Sequence, residues 1–130
     1  MPEYLPHHVH LMSHDAMAAG AWYKNMFGAE LVRSRGANGL PRANMKLGDQ
    51  IILISTVTEE VTQMASGPHS VVGLDHIGIA VDDLHAAIND LEAKGAEFMM
   101  KPPPGKKGRI AFVKGPDFVS IELVEQRQTR

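Results

Sequence analysis

The chain contains the same pattern twice, and this constrains its fold more than any other feature. HHVHLMSHDAMAAGAWYKNMFGAEL near the start aligns with DHIGIAVDDLHAAINDLEAKGAEF in the second half. His8 falls on His76 and Asp15 on Asp83, both at a separation of 68, and Ala18-Ala19 falls on Ala86-Ala87. After one deletion in the second copy, Gly28-Ala29-Glu30 falls on Gly95-Ala96-Glu97. Shared alanines arise easily by chance; a histidine, an aspartate and Gly-Ala-Glu in the same order do not. The chain is read as a duplication of about half its length.

Both copies show the same local order. Val9 to Met12 and Ile77 to Val81 are short apolar runs, hence strands. Asp15 and Asp83 are expected N-caps, since a carboxylate accepts from the unsatisfied amides of a first helical turn. Leu84, Ala87, Ile88 and Leu91 then follow the i, i+3, i+4, i+7 stripe of an amphipathic helix. In the first copy Ala18, Ala21, Trp22 and Met26 are taken as that stripe, with Trp22 and Tyr23 as packing residues, and Gly28 and Gly95 suit left-handed helix ends. Three strands follow each helix: Glu30 to Arg35, Arg42 to Leu47 and Gln50 to Thr56, then Glu97 to Met100, Arg109 to Lys114 and Val119 to Glu125. The expected fold class is α+β, two βαβββ modules forming a curved mixed sheet around a cleft. Residues 1–130 are read as one domain, with module one about 6–57, a connection about 58–73 and module two about 74–125. Lys101 to Gly108, with three prolines, is a loop.

Composition removes several function classes. A net charge of −2 gives no electrostatic reason to bind nucleic acid or an anionic membrane, and no apolar run is long enough to span a bilayer. MPEYLPHHVH lacks the basic-then-apolar order of a secretory signal, so the expected location is cytoplasmic. The absence of cysteine excludes disulfides, thiolate nucleophiles and cysteine-ligated metals, whereas seven histidines leave imidazole–carboxylate metal sites open.

Strand alternation puts His8 and His10 on one face, and Ser120, Glu122 and Val124 on another. Glu122 interrupts VSIELV, and an unpaired buried carboxylate is costly unless a cation lies beside it. The alternative for any single one of these residues is a satisfied core or strand-end group. The duplication argues otherwise, because it makes His8 and His76 equivalent positions. GxGxxG, P-loop, HExxH and nucleophile-elbow patterns are absent.

Taken in order, HVHL with Asp15, WYKNMFGAE (22–30), LDHIGIAVDDL (74–84) and IAFVKGPDFVSIELVE (110–125) resemble the vicinal oxygen chelate superfamily over nearly the whole chain. That superfamily includes glyoxalase I, extradiol dioxygenases and bleomycin resistance proteins. The resemblance implies one divalent metal (Fe, Mn, Co, Ni or Zn) on His8, His76 and Glu122, with Glu122 also catalytic. The family's fourth ligand position falls on Leu53, which cannot coordinate, and its usual turn glycine is replaced by Phe118.

The function implied is a metal-dependent lyase or isomerase on a small substrate whose adjacent oxygens chelate the metal. The alternatives are an Fe(II) extradiol-type dioxygenase and a non-catalytic, bleomycin-resistance-like sequestering protein. With Leu53 removing one carboxylate, His10 is the candidate base, or else a strand histidine bonded to a backbone carbonyl. Arg42 and Arg109 are candidate anchors for a substrate carboxylate or phosphate, or else solvated strand-end residues. A homodimer is expected, with ligands from one subunit or from two.

Overall fold

The computed structural model describes residues 6–61 and 74–126. Most of the expected connection between the copies lies outside the described residues. The chain divides into two compact units, Met1–Thr62 and Gln63–Arg130.

In the first unit β1 (His8–Ser13) leads into α1 (Ala16–Phe27), followed by β2 (Glu30–Arg35), β3 (Pro41–Leu47) and β4 (Gln50–Thr56). The four strands form one sheet in the order β1-β4-β3-β2, with β1 parallel to β4 and the other pairs antiparallel. The second unit repeats this with β5 (Ile77–Val81), α2 (Leu84–Ala93), β6 (Phe98–Met100), β7 (Ile110–Lys114) and β8 (Ser120–Glu125). Its sheet runs β5-β8-β7-β6, and β5 is parallel to β8. Both units are therefore mixed βαβββ sheets.

The caps form where the sequence places them. Asp15 accepts from the Ala18 amide and Asp83 from the Ala86 amide, both at 3.0 Å. Gly28 ends α1 in the left-handed region at φ 73°, and its N–H donates to the Lys24 carbonyl. In the second unit α2 ends on Lys94, one residue before Gly95.

The face of α1 requires a correction. Ala16, Ala19, Gly20, Tyr23 and Met26 are buried, whereas Ala18 and Ala21 are exposed and Trp22 is half-buried. Alanines lie all round this helix, so apolarity alone does not select its buried side. Closeness of approach does. A Cβ on Gly20 would lie 2.8 Å from the Ala43 Cβ and 3.0 Å from Leu31 Cδ1, so α1 packs backbone-close on β2 and β3. The core of this unit is Tyr23, Met45, Ile52 and Ile54, all fully buried, each contributing about 1.5–3 kcal/mol. In the second unit Leu84, Ile88 and Leu91 of α2 and Val113, Ile121 and Leu123 of the sheet are buried and form the core. Each sheet thus covers one face with its helix and turns the other away from it. All the candidate site residues on strands stand on these uncovered faces.

Candidate metal and substrate site

In the second unit, His76 precedes β5 and Glu122 lies in the middle of β8, where Gly78 is its register partner on β5. Gly78 carries no side chain, so the imidazole can reach across. His76 Nε2 stands 3.2 Å from Glu122 Oε1, with the two side chains 28% and 20% exposed. On its other side His76 Nδ1 stands 2.7 Å from Asp75 Oδ2. Phe112, the partner of Glu122 on β7, meets the His76 ring edge-on at 5.3 Å between centroids. The ring is thus oriented by a carboxylate at one nitrogen and by an aromatic wall.

This arrangement suits a cation. A neutral imidazole has one N–H, and the shorter contact, to Asp75, takes it at Nδ1. Nε2 of that tautomer turns a lone pair toward Glu122 Oε1, so a cation seated between them would be held by both, whereas an imidazolium would instead donate to both carboxylates. The nitrogen and oxygen donors stand 3.2 Å apart, close enough for both to reach one divalent ion, whose bonds to such ligands are about 2.0–2.2 Å long. An outer carboxylate on the remaining imidazole nitrogen is a common partner of metal-bound histidine. Among the described residues no group of three or more His, Asp or Glu side chains is assembled to hold a metal.

In the first unit His8, His10 and Met12 share the uncovered face of β1, opposite Ile51, Leu53 and Ser55 of β4. His8 Nδ1 lies 2.9 Å from His7 Nδ1. His10 Nε2 lies 2.7 Å from Ser55 Oγ, so its partner is a hydroxyl rather than a backbone carbonyl. Partial burial, then the Arg42 guanidinium and His8, hold the His10 imidazole below its ordinary pKa. Leu53 pairs with His10 as Glu122 pairs with Gly78, so the registers identify Leu53 as the first module's counterpart of Glu122.

Arg42 is half-buried on β3, paired in register with Ser55. Its Nε donates to Asn44 Oδ1 at 3.3 Å, and Asn44 Nδ2 donates to Ser34 Oγ at 2.7 Å. Arg109 is exposed and donates from Nη2 to the Glu125 carbonyl at 3.3 Å, a strand-end bond that ties down β8.

Asp75, Ser55, Asn44 and Ser34 escape sequence reasoning. Alternation would set Asp75 and His76 on opposite faces, but the strand starts only at Ile77, so the rule does not apply to them. The Ser55 and Ser34 contacts run diagonally between strands and depend on a register that the sequence does not state. The turn before β8 holds Phe118 in the left-handed conformation that glycine adopts readily: Asp117 and Phe118 both have positive φ, 59° and 62°, and Phe118 is 63% exposed.

Comparison with known proteins agrees with this architecture. Residues 7–113 match the family described as the glyoxalase/bleomycin resistance protein/dioxygenase superfamily. A lactoylglutathione lyase of Arabidopsis thaliana is 29% identical over 111 residues, covering 83% of this chain and 39% of that protein. A probable lactoylglutathione lyase of Vibrio cholerae is 44% identical over 55 residues, covering 41% of this chain and 40% of that protein. The chain therefore spans well under half the length of these curated relatives. Among solved structures, a mutant of the fosfomycin resistance protein FosX of Listeria monocytogenes, crystallised with Mn(II) and a dihydroxypropylphosphonic acid, superposes with a TM-score of 0.72. It is 20% identical, covers 97% of this chain and 94% of its own, and shares the fold. A glyoxalase family protein of Enterococcus faecalis superposes with a TM-score of 0.65 at 25% identity, covering 93% and 97%.

Proposed function

From the premise that the chain belongs to the glyoxalase/bleomycin resistance protein/dioxygenase superfamily, we propose that it is a metal-dependent lyase or isomerase acting on a small substrate with adjacent oxygens. The observation that carries this reading is the His76–Glu122 pair at 3.2 Å, with Asp75 holding the far side of the imidazole. The similarity to lactoylglutathione lyases supports the reaction class.

His76 Nε2 and Glu122 Oε1 are the proposed second-module ligands. His8, equivalent to His76 in the repeat, is the proposed third, from the same chain or from a second copy in a homodimer. A divalent metal held there supplies Lewis-acid stabilisation of developing negative charge on substrate oxygen. The protein's own residues do the rest. Asp75 fixes the His76 tautomer, Phe112 limits the swing of its ring, and His10, oriented by Ser55, is the proposed base.

A second reading, a ring-cleaving Fe(II) dioxygenase, draws on Leu53, since such an enzyme works with three protein ligands rather than four. Retention of the paired His76 and Glu122 weighs against a purely sequestering protein.

Elemental analysis of protein purified without chelator is expected to find a divalent metal, lost in His76→Asn and Glu122→Ala variants that still fold by circular dichroism. No metal, or unchanged content in Glu122→Ala, overturns the metal reading. Assays of anaerobically prepared protein with hydroxyacyl, diketone and catechol substrates then separate the reactions. Turnover that needs no oxygen supports the lyase or isomerase, and oxygen consumption with a catechol supports the dioxygenase.

A further inference from the structure

The first module's uncovered sheet face carries a cationic group that the metal chemistry does not use. Arg42 is half-buried, yet among the described residues no carboxylate forms an ion pair with it. A guanidinium withdrawn from water without an anion is an unfavourable arrangement unless an anion arrives. Its surroundings also prepare it. The Nε–H is committed to Asn44, and Asn44 is anchored in turn on Ser34, so two side chains on neighbouring strands fix the plane of the guanidinium. That leaves the two terminal amino groups, the fork that matches two oxygens of one oxyanion.

The register rows extend the argument. Met12, Ser55, Arg42 and Ser34 form one row across β1, β4, β3 and β2, and His10, Leu53, Asn44 and Val32 form the next. Ser55 is therefore the side chain directly beside Arg42, and its hydroxyl is already turned toward His10 Nε2 at 2.7 Å. Leu53 is half-buried, while Met12 and Val32 are 49% and 65% exposed, so the polar residues are set among apolar side chains. Charge on the face is one-sided. Arg42 and Lys46 stand against a single carboxylate, Glu30, which is the register partner of Lys46. This excess of positive charge occurs in a chain of net charge −2.

We propose that Arg42, with Ser55 beside it, forms a subsite for an oxyanion, a carboxylate or a phosphate-type group carried by the substrate. The assignment to substrate rests on the function proposed above and narrows it to anionic substrates. The binding itself belongs to the first module and needs no metal.

The test uses the full chain in the presence of EDTA, so its outcome is independent of whether the metal reading holds. Inorganic phosphate and, separately, acetate are titrated while the Arg42 Nε–H resonance is followed by NMR. Wild-type protein is expected to give a saturable shift with at least one of the two. Saturation by phosphate alone assigns a tetrahedral oxyanion, and saturation by acetate assigns a carboxylate. Binding, followed through the Ser55 amide, is expected to weaken at least tenfold in Arg42→Gln and less in Arg42→Lys, which keeps the charge and loses the fork. It is expected to be unchanged in Lys46→Gln, a cation on the same face already opposite Glu30. No saturable shift with either anion overturns the proposal, as does equal weakening in Arg42→Gln and Lys46→Gln. If Arg42→Gln does not fold, the contrast between Arg42→Lys and Lys46→Gln decides, and equal affinities in those two overturn it.

Discussion

At the scale of single residues, Phe118 is where the sequence and the backbone conflict most openly. A side chain held in the left-handed region costs roughly 1–2 kcal/mol, and the neighbouring Asp117 shares that conformation. Because the Phe118 ring is largely exposed, little packing offsets this cost. Glycine would remove the clash but would lose about 0.5–1 kcal/mol through the greater freedom of the unfolded chain. Phe118→Gly is therefore expected to be neutral to stabilising, by up to about 1 kcal/mol, with the urea midpoint rising or unchanged. A fall of a kilocalorie or more would mean that the exposed ring is held by contacts that matter. His76 and Glu122 were legible for a different reason. A duplicated histidine and a carboxylate inside an apolar strand are both anomalies of composition, and such anomalies survive without knowledge of register. Asp75 was not legible, since its role follows from where β5 begins.

At the scale of elements, α1 shows where patterning fails. The caps at Asp15 and Gly28 were readable because each rests on the chemistry of one residue at one position. The buried face was not, because in AMAAGAWYKNMF small residues occupy every side and the selecting force is how closely two backbones approach. Gly20 carries that information. Replacing it by alanine should favour the helix by about 0.8–1.0 kcal/mol. The new methyl, however, would meet the Ala43 Cβ at 2.8 Å, a contact that no rotamer change can relieve. Overpacking of this kind costs about 1–3 kcal/mol, so the overlap outweighs the propensity gain. Gly20→Ala is expected to lower stability by about 1 kcal/mol in urea denaturation with an unchanged slope. A gain in stability would show that α1 can lift off β3 at little cost, and the close approach would then not be what orients the helix.

At the scale of the whole molecule, two copies of one plan have diverged at corresponding positions of their uncovered faces. In the second module Glu122 faces Gly78; in the first, Leu53 faces His10. One copy sets a carboxylate opposite a glycine, and the other sets an imidazole opposite a leucine with an arginine nearby, so the two uncovered faces differ in charge. The fold and the pairing of His76 with Glu122 could be anticipated from the repeat and from a carboxylate inside an apolar strand, while the Arg42–Asn44–Ser34 chain required the strand register. The electrostatic difference between the faces can be measured at His10. Burial, Arg42 and His8 all make its imidazolium form less favourable in the folded chain, so that chain binds fewer protons than the unfolded one below the ordinary value of 6.5. Stability from this residue is therefore complete above that value and is lost as pH falls from it toward the lower folded pKa. Leu53→Glu would place a carboxylate at the register partner of His10 and favour the charged imidazole. In chelator-treated protein, its His10 titration followed by NMR is expected to move upward relative to wild type, and the loss of thermal stability between neutral and mildly acidic pH to become smaller. An unchanged His10 titration in a folded Leu53→Glu protein would mean that position 53 does not face the imidazole, and the equivalence of Leu53 with Glu122 would fail with it.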